Sequence, residues 1–225
     1  MINKTGLLFV ASLGFNTLLS SVFAYKYYHN WFENEVLKEP FRTSIFQELT
    51  DEPNKIYFVG DSHTEAFELA EILNNPSVRN RGIWGDKTTG IIKRLDRIIK
   101  SKPRKIFIMV GVNDICAGTS VEEISAHIEL ITKKIKSESP ATELYIQSVL
   151  PTNQKILHSD ELTISQIKEL NERYSQISKE NGATFINLFP YFQEGNGLKA
   201  EYSFDGLHLN GKGYMAWKKL IMPYI

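Results

Sequence analysis

Two segments well separated along the chain hold the side-chain types that acyl chemistry needs. Phe58-Val59-Gly60-Asp61-Ser62-His63-Thr64 puts a serine just after an apolar, strand-like run, with Gly60 allowing a sharp turn. Asp205-Gly206-Leu207-His208-Leu209 offers a carboxylate and an imidazole on one short loop-like stretch. A serine hydroxyl is a weak nucleophile until a base takes its proton, and the base must itself be oriented. Ser62, His208 and Asp205 are of the right types for those three tasks. His63 is a poorer base than His208, because adjacent residues diverge at a strand-to-helix turn. Asp61 is suited to capping that helix rather than to reacting.

Two further segments lie between these. Asn80-Arg81-Gly82-Ile83-Trp84-Gly85-Asp86 follows a short extended stretch, and Ile106-Phe107-Ile108-Met109-Val110-Gly111-Val112-Asn113-Asp114 is an apolar strand running into a turn. In this order the four segments resemble the block pattern of the SGNH (GDSL-type) hydrolases: GDS, a glycine block, GxND and DxxH. The resemblance runs from about Lys55 to the C-terminus. It implies that Ser62 is the nucleophile, His208 its general base and Asp205 the orienter of the imidazole. It also implies an oxyanion hole formed by the backbone N–H groups of Ser62 and Gly85 and the side-chain amide of Asn113. Fixed donors aimed at the developing oxyanion lower the barrier, and a neutral amide with two N–H bonds suits that task. Trp84, inside the glycine block, is expected to wall the pocket. Arg81 is expected to be structural, and Tyr202 and Phe204 to line the pocket or join the core.

The segment 80–83 resembles the branch containing platelet-activating-factor acetylhydrolases and acetylxylan-type esterases. The expected activity is therefore hydrolysis of a small carboxylic ester, an O-acetyl group on a carbohydrate or lipid, through an acyl-enzyme and without a cofactor. An exported glycan O-acetyltransferase using the same triad is the alternative. A non-catalytic carbohydrate-binding module is a third reading, against which the intact Ser62, Asp205 and His208 argue.

The elements that must position these residues alternate. Strands are expected at Lys55–Val59, Ser77–Asn80, Lys105–Val110, Glu143–Val149 and Thr184–Leu188, in runs rich in Ile, Val, Phe and Tyr. Helical periodicity marks Glu65–Leu73, Thr89–Lys100, Val121–Lys136, Leu162–Glu180 and Gly213–Ile221. Strand–helix alternation means a parallel sheet covered on both faces. The expected fold is α/β, a three-layer α/β/α flavodoxin-like sandwich with a five-stranded sheet, and its ligand site lies beyond the carboxyl ends of the strands. Ser62, Gly85 and Asn113 each follow a strand candidate and so share that edge.

Composition narrows the class. A chain of 225 residues fits one domain. The formal net charge of +0 offers no field for nucleic acid, and Lys93, Arg94, Arg97 and Lys100 read as a solvated helix face. The five histidines lack zinc-type spacing, so no metal is expected. Cys116, the single cysteine, is expected to be a buried small hydrophobe. Residues 1–24 read as a signal peptide or N-terminal membrane anchor, because Gly6–Ala24 is largely apolar and close to bilayer-spanning length. Tyr25, Tyr27, Tyr28 and Trp31 resemble an interfacial belt. Residues 25–54 read as a stalk or lead-in, and 55–225 as the hydrolase domain. Export, to a membrane-anchored, periplasmic or extracellular place, is the expectation, with oligomeric state open.

Overall fold

The computed structural model describes residues 20–26, 40–50, 52–157 and 161–225. The chain divides into two units between Thr43 and Ser44. Most of the apolar run 6–24 lies outside the described residues; its last part belongs to a helix over 20–26. Among the described residues no helix is long and apolar enough to cross a membrane.

The unit from Ser44 onward is built on five parallel strands in the order β2-β1-β3-β4-β5. They are β1 (Ile56–Gly60), β2 (Val78–Gly82), β3 (Lys105–Met109), β4 (Glu143–Gln147) and β5 (Thr184–Ile186). After the helix over 20–26, the α-helices in chain order are α1 (Pro40–Glu48), α2 (Ser62–Glu65), α3 (Leu69–Leu73), α4 (Thr88–Lys100), α5 (Val112–Cys116), α6 (Val121–Glu138), α7 (Gln154–Leu157), α8 (Glu161–Glu180), α9 (Phe189–Phe192) and α10 (Gly211–Ile221).

Alternating side chains of the strands feed two separate cores, as the two-residue repeat requires. Tyr57 and Val59 of β1 and Ile106 and Ile108 of β3 pack with apolar residues of α4, α6 and α8, among them Leu95, Ile128 and Leu170. Ile56 and Phe58, with Phe107 and Met109, pack with Leu69 and Leu73 of α3 and Trp217 and Ile221 of α10. This is the three-layer arrangement expected. On the second face the register sets Phe58 opposite Phe107 and Phe107 opposite Tyr145. Their rings stack at 4.5 Å in both pairs, so one aromatic ladder crosses the three central strands.

The structure corrects the local reading in several places, and β4 and β5 end two residues earlier than expected, at Gln147 and Ile186. The helix expected over Glu65–Leu73 is two short helices, α2 and α3. Asn80, on β2, causes the break: its Nδ2 donates to the main-chain oxygens of Thr64, Glu65 and Phe67 at 2.7, 3.1 and 3.0 Å. Those carbonyls are thereby satisfied outside a continuous helical ladder, and Phe67 turns fully into the core. Strand β2 runs on to Gly82, because Arg81 and Gly82 stay in register with Val59 and Gly60. A two-stranded antiparallel hairpin, β6 (Gln193–Glu194) with β7 (Gly197–Leu198), was not marked by any periodicity, being too short to show one.

Candidate active site

Ser62 opens α2 directly after β1. Asp61 is the cap of that helix, its Oδ1 accepting from His63 N at 3.0 Å. The cap leaves the serine hydroxyl with no capping task. Gly60 does not work through an unusual backbone angle, since its φ is not positive. It is needed for close approach: a Cβ there would lie 2.2 Å from Met109 O and 2.4 Å from Thr64 Oγ1.

The loop before α10 brings the imidazole to the serine. Ser62 Oγ donates to His208 Nε2 at 3.1 Å, and His208 Nδ1 donates to Asp205 Oδ2 at 2.6 Å. A carboxylate can only accept, so the Nδ1 contact fixes the proton there and leaves the Nε2 lone pair facing the hydroxyl. Asp205 Oδ1 accepts from Leu207 N at 2.9 Å and His208 N at 2.7 Å. Partial burial pushes the Asp205 carboxyl up, but these donors and the His208 ring outweigh it and hold the group at about 2. The loop is closed by an antiparallel bridge between Ser203 and Leu209.

Two other strand ends meet near this relay. Gly85, after β2, has φ 72°, in the region that side-chain-bearing residues avoid. Asn113, in the first turn of α5, donates Nδ2 to the main-chain oxygen of Asp86 at 3.0 Å. One N–H of its amide is thus committed to the Gly85 loop. The Trp84 ring stacks on the His208 ring at a centroid distance of 4.5 Å and stays 46% exposed. Ser62, His208, Asp205 and Trp84 are therefore in one cluster, and the Gly85 loop is joined to Asn113.

Several residues at the site depart from the sequence reading. Arg94, expected on a solvated helix face, is largely buried and bonds Asp86 Oδ2 through Nη2 at 2.7 Å. It also donates to Arg81 O at 2.7 Å and Gly60 O at 3.3 Å, so one guanidinium fastens the ends of β1 and β2 to the Gly85 loop. Burial pushes the Asp86 carboxyl up, with Arg94 pulling against it. Asp114 accepts from the backbone N–H of Thr88 at 3.1 Å and from its hydroxyl at 2.6 Å. His127 Nδ1 lies 2.8 Å from the same hydroxyl. The threonine has one hydroxyl hydrogen, so with Asp114 taking it, His127 donates. Cys116 is exposed rather than buried, because α5 turns that position to solvent. Phe204 is 87% exposed and belongs to no core. Arg81 stacks on Tyr57 and Phe46, both at 4.9 Å, a structural position as expected.

A parallel sheet in this order, with a serine–imidazole–carboxylate relay beyond its carboxyl ends, is the build of a serine-type acylhydrolase. The chain belongs to the GDSL-like lipase/acylhydrolase family, whose model matches residues 58–216. It is a carboxylic ester hydrolase by family. It is 26% identical over 172 residues to platelet-activating factor acetylhydrolase IB subunit alpha1 of Homo sapiens, covering 73% of this chain and 72% of that protein. Among solved structures it resembles a Streptococcus pneumonia protein named after platelet activating factor (TM-score 0.75, 27% identity, 90% of this chain and 98% of that one). It shares its fold with the acetyl xylan esterase AlAXEase (TM-score 0.64, 19% identity, 76% and 99% covered).

Proposed function

We propose that the protein removes small acyl groups, acetyl first among them, from a hydroxyl of a carbohydrate or lipid. The observation that carries this reading is the unbroken relay from Ser62 Oγ through the His208 ring to Asp205. Ser62 attacks the ester carbonyl while His208 Nε2 takes its proton. The negative charge on the carbonyl oxygen is met by the N–H groups of Ser62 and Gly85 and the second N–H of Asn113. Collapse of the intermediate returns the proton from His208 to the leaving alcohol. Water, deprotonated by the same imidazole, then frees the carboxylic acid and restores Ser62.

Support for acetyl comes from Trp84, whose stack on His208 places a bulky ring beside the base. The acetyl-ester names of the similar proteins agree with it. The apolar run 6–24 supports an exported enzyme acting on esters outside the cytoplasm. Fractionation of cells making the full chain tests that part, and recovery wholly in the cytosol would sink it.

The decisive experiment is a p-nitrophenyl ester series from acetyl to octanoyl on wild type and Ser62→Ala, paired with a fluorophosphonate label. Wild type should turn over the acetyl ester fastest and be labelled at Ser62. The alanine variant should keep less than about a thousandth of the rate, the loss expected when a relay of this type loses its nucleophile. Labelling at another serine, or a preference for octanoyl, overturns the reading.

A further inference from the structure

His63 is a buried, titratable side chain that the mechanism above does not use. It is 3% exposed. Its Nε2 lies 2.9 Å from Leu207 O, and since a carbonyl only accepts, Nε2 carries the proton. Its Nδ1 faces Asp61 Oδ1 at 3.4 Å. Its own backbone is held at both ends, N–H by Asp61 Oδ1 at 3.0 Å and carbonyl by Tyr214 Oη–H at 3.1 Å. The ring thus has one fixed position relative to Ser62, its neighbour in the chain.

Leu207 sits between Asp205 and His208, in the loop that carries the base. The preceding carbonyl, of Gly206, accepts from Asn153 N at 2.7 Å, from the segment after β4. Two successive carbonyls are therefore fastened to different elements, one to the α2 turn by His63 and one to the post-β4 segment. The His63 and His208 rings lie 5.7 Å apart between centroids. Among the described residues, the His63 bond to Leu207 O joins the loop to the turn bearing the nucleophile alongside the Ser62–His208 bond itself.

We infer that His63 is a positioning residue: its Nε2–H bond to the Leu207 carbonyl holds the loop of Asp205 and His208 in register with Ser62. The inference rests on the ester-hydrolase reading. A misplacement of about 1 Å at reacting groups costs on the order of 10²-fold in rate, so the bond acts on turnover rather than on substrate affinity.

The test compares His63→Gln with His63→Asn in the full chain. Glutamine places an N–H where His63 Nε2 stands and can reach Leu207 O; asparagine matches the Nδ1 position and cannot. Both are polar, and thermal melts check that both are folded. With p-nitrophenyl acetate, His63→Asn should lower kcat roughly 10- to 100-fold, with KM within about threefold of wild type. His63→Gln should recover to within about fivefold of wild-type kcat. Equal activity of the two variants, or a loss expressed in KM alone, overturns the inference. Should wild type fail to hydrolyse the ester, the hydrolase reading fails by itself. The same pair is then compared by the rate of fluorophosphonate labelling at Ser62, which needs only the serine and its base, and the same ordering is expected.

Discussion

Asn113 donates its side-chain amide to the main-chain oxygen of Asp86 at 3.0 Å, which makes the turn after β3 and the loop after β2 a single piece. The proposed oxyanion donors Gly85 N–H and Asn113 Nδ2 thereby come from chain segments that cannot move independently. Asn113→Ala removes one donor and unties the loop holding another. Turnover should fall by about 10²–10³, with little change in KM, because the lost donors act on charge that forms only in the transition state. Steady-state kinetics on p-nitrophenyl acetate checks this. A rise in KM with kcat intact would assign Asn113 to ground-state binding.

The Asp86 carboxylate holds that loop from the other side. Its pairing with Arg94 is buried on both sides, and the guanidinium also donates to Arg81 O and Gly60 O. Removing the cation leaves a buried carboxylate without its ion partner and takes a donor from Arg81 O, while Gly60 O keeps Ile83 N at 3.0 Å. Arg94→Ala should therefore cost about 3–5 kcal/mol of stability, in the range for breaking one side of a buried pair. Arg94→Lys should recover only part, since the three N–H bonds of an ammonium radiate from one nitrogen and cannot span acceptors that Nε, Nη1 and Nη2 reach separately. Gly90→Ala tests the same node from the other side, because its Cβ would stand 1.8 Å from Asp86 Oδ1. Urea denaturation measures all three, and a loss under about 1 kcal/mol for Arg94→Ala would contradict the bridging role argued here.

Asp205 is ionised at any pH well above about 2, where its carboxyl is held by the donors around it. The relay needs a neutral His208, because only then does Nε2 present a lone pair to Ser62. Asp205→Asn should lower kcat by roughly 10⁴ through loss of the Nδ1–H tautomer, as relays of this kind do. The stability effect has the sign of a depressed acid. Native-state stabilisation is complete above the unfolded carboxylate range, near about 3.9, and is lost as pH falls from there towards about 2. Melting temperatures of wild type and Asp205→Asn should accordingly converge as pH is lowered from 5 to 2. A gap that stays constant over that interval would show that the carboxylate's donors do not favour its charged form.

The blocks were legible in the sequence because acyl chemistry constrains residue type where strands end: Gly60 and Ser62 after β1, Gly85 after β2, Asn113 after β3. The sheet was legible through its apolar runs, since buried parallel strands need such runs on both faces. Arg94 was not, because Lys93, Arg97 and Lys100 around it give the composition of a solvated face. Its partner Asp86 meets it only once α4 is laid against the end of β2. The division of α2 from α3 was hidden for a related reason. Asn80 lies 16 residues from Thr64, whose carbonyl it takes, and nothing within Glu65–Leu73 announces that contact. His63 was weighed only as a rival base; its bond to Leu207 spans 144 residues and belongs to the tertiary fold.

The role proposed for Trp84 in acyl-chain selection can be measured separately from the relay. Its ring lies against one face of the His208 imidazole, yet nearly half of it faces solvent. It therefore borders the approach to the base without being locked in a core. Shortening it in Trp84→Ala should widen the acyl side while leaving Ser62, His208 and Asp205 connected. The ratio of octanoyl to acetyl turnover should rise about 10-fold or more, since each methylene admitted to an apolar site is worth ~1–3 kcal/mol of discrimination. The fluorophosphonate labelling rate should change much less, because that small probe needs no acyl pocket. An unchanged chain-length profile would place the acyl group on another side of His208, and a collapse of labelling would mean that the stack itself holds the base in place.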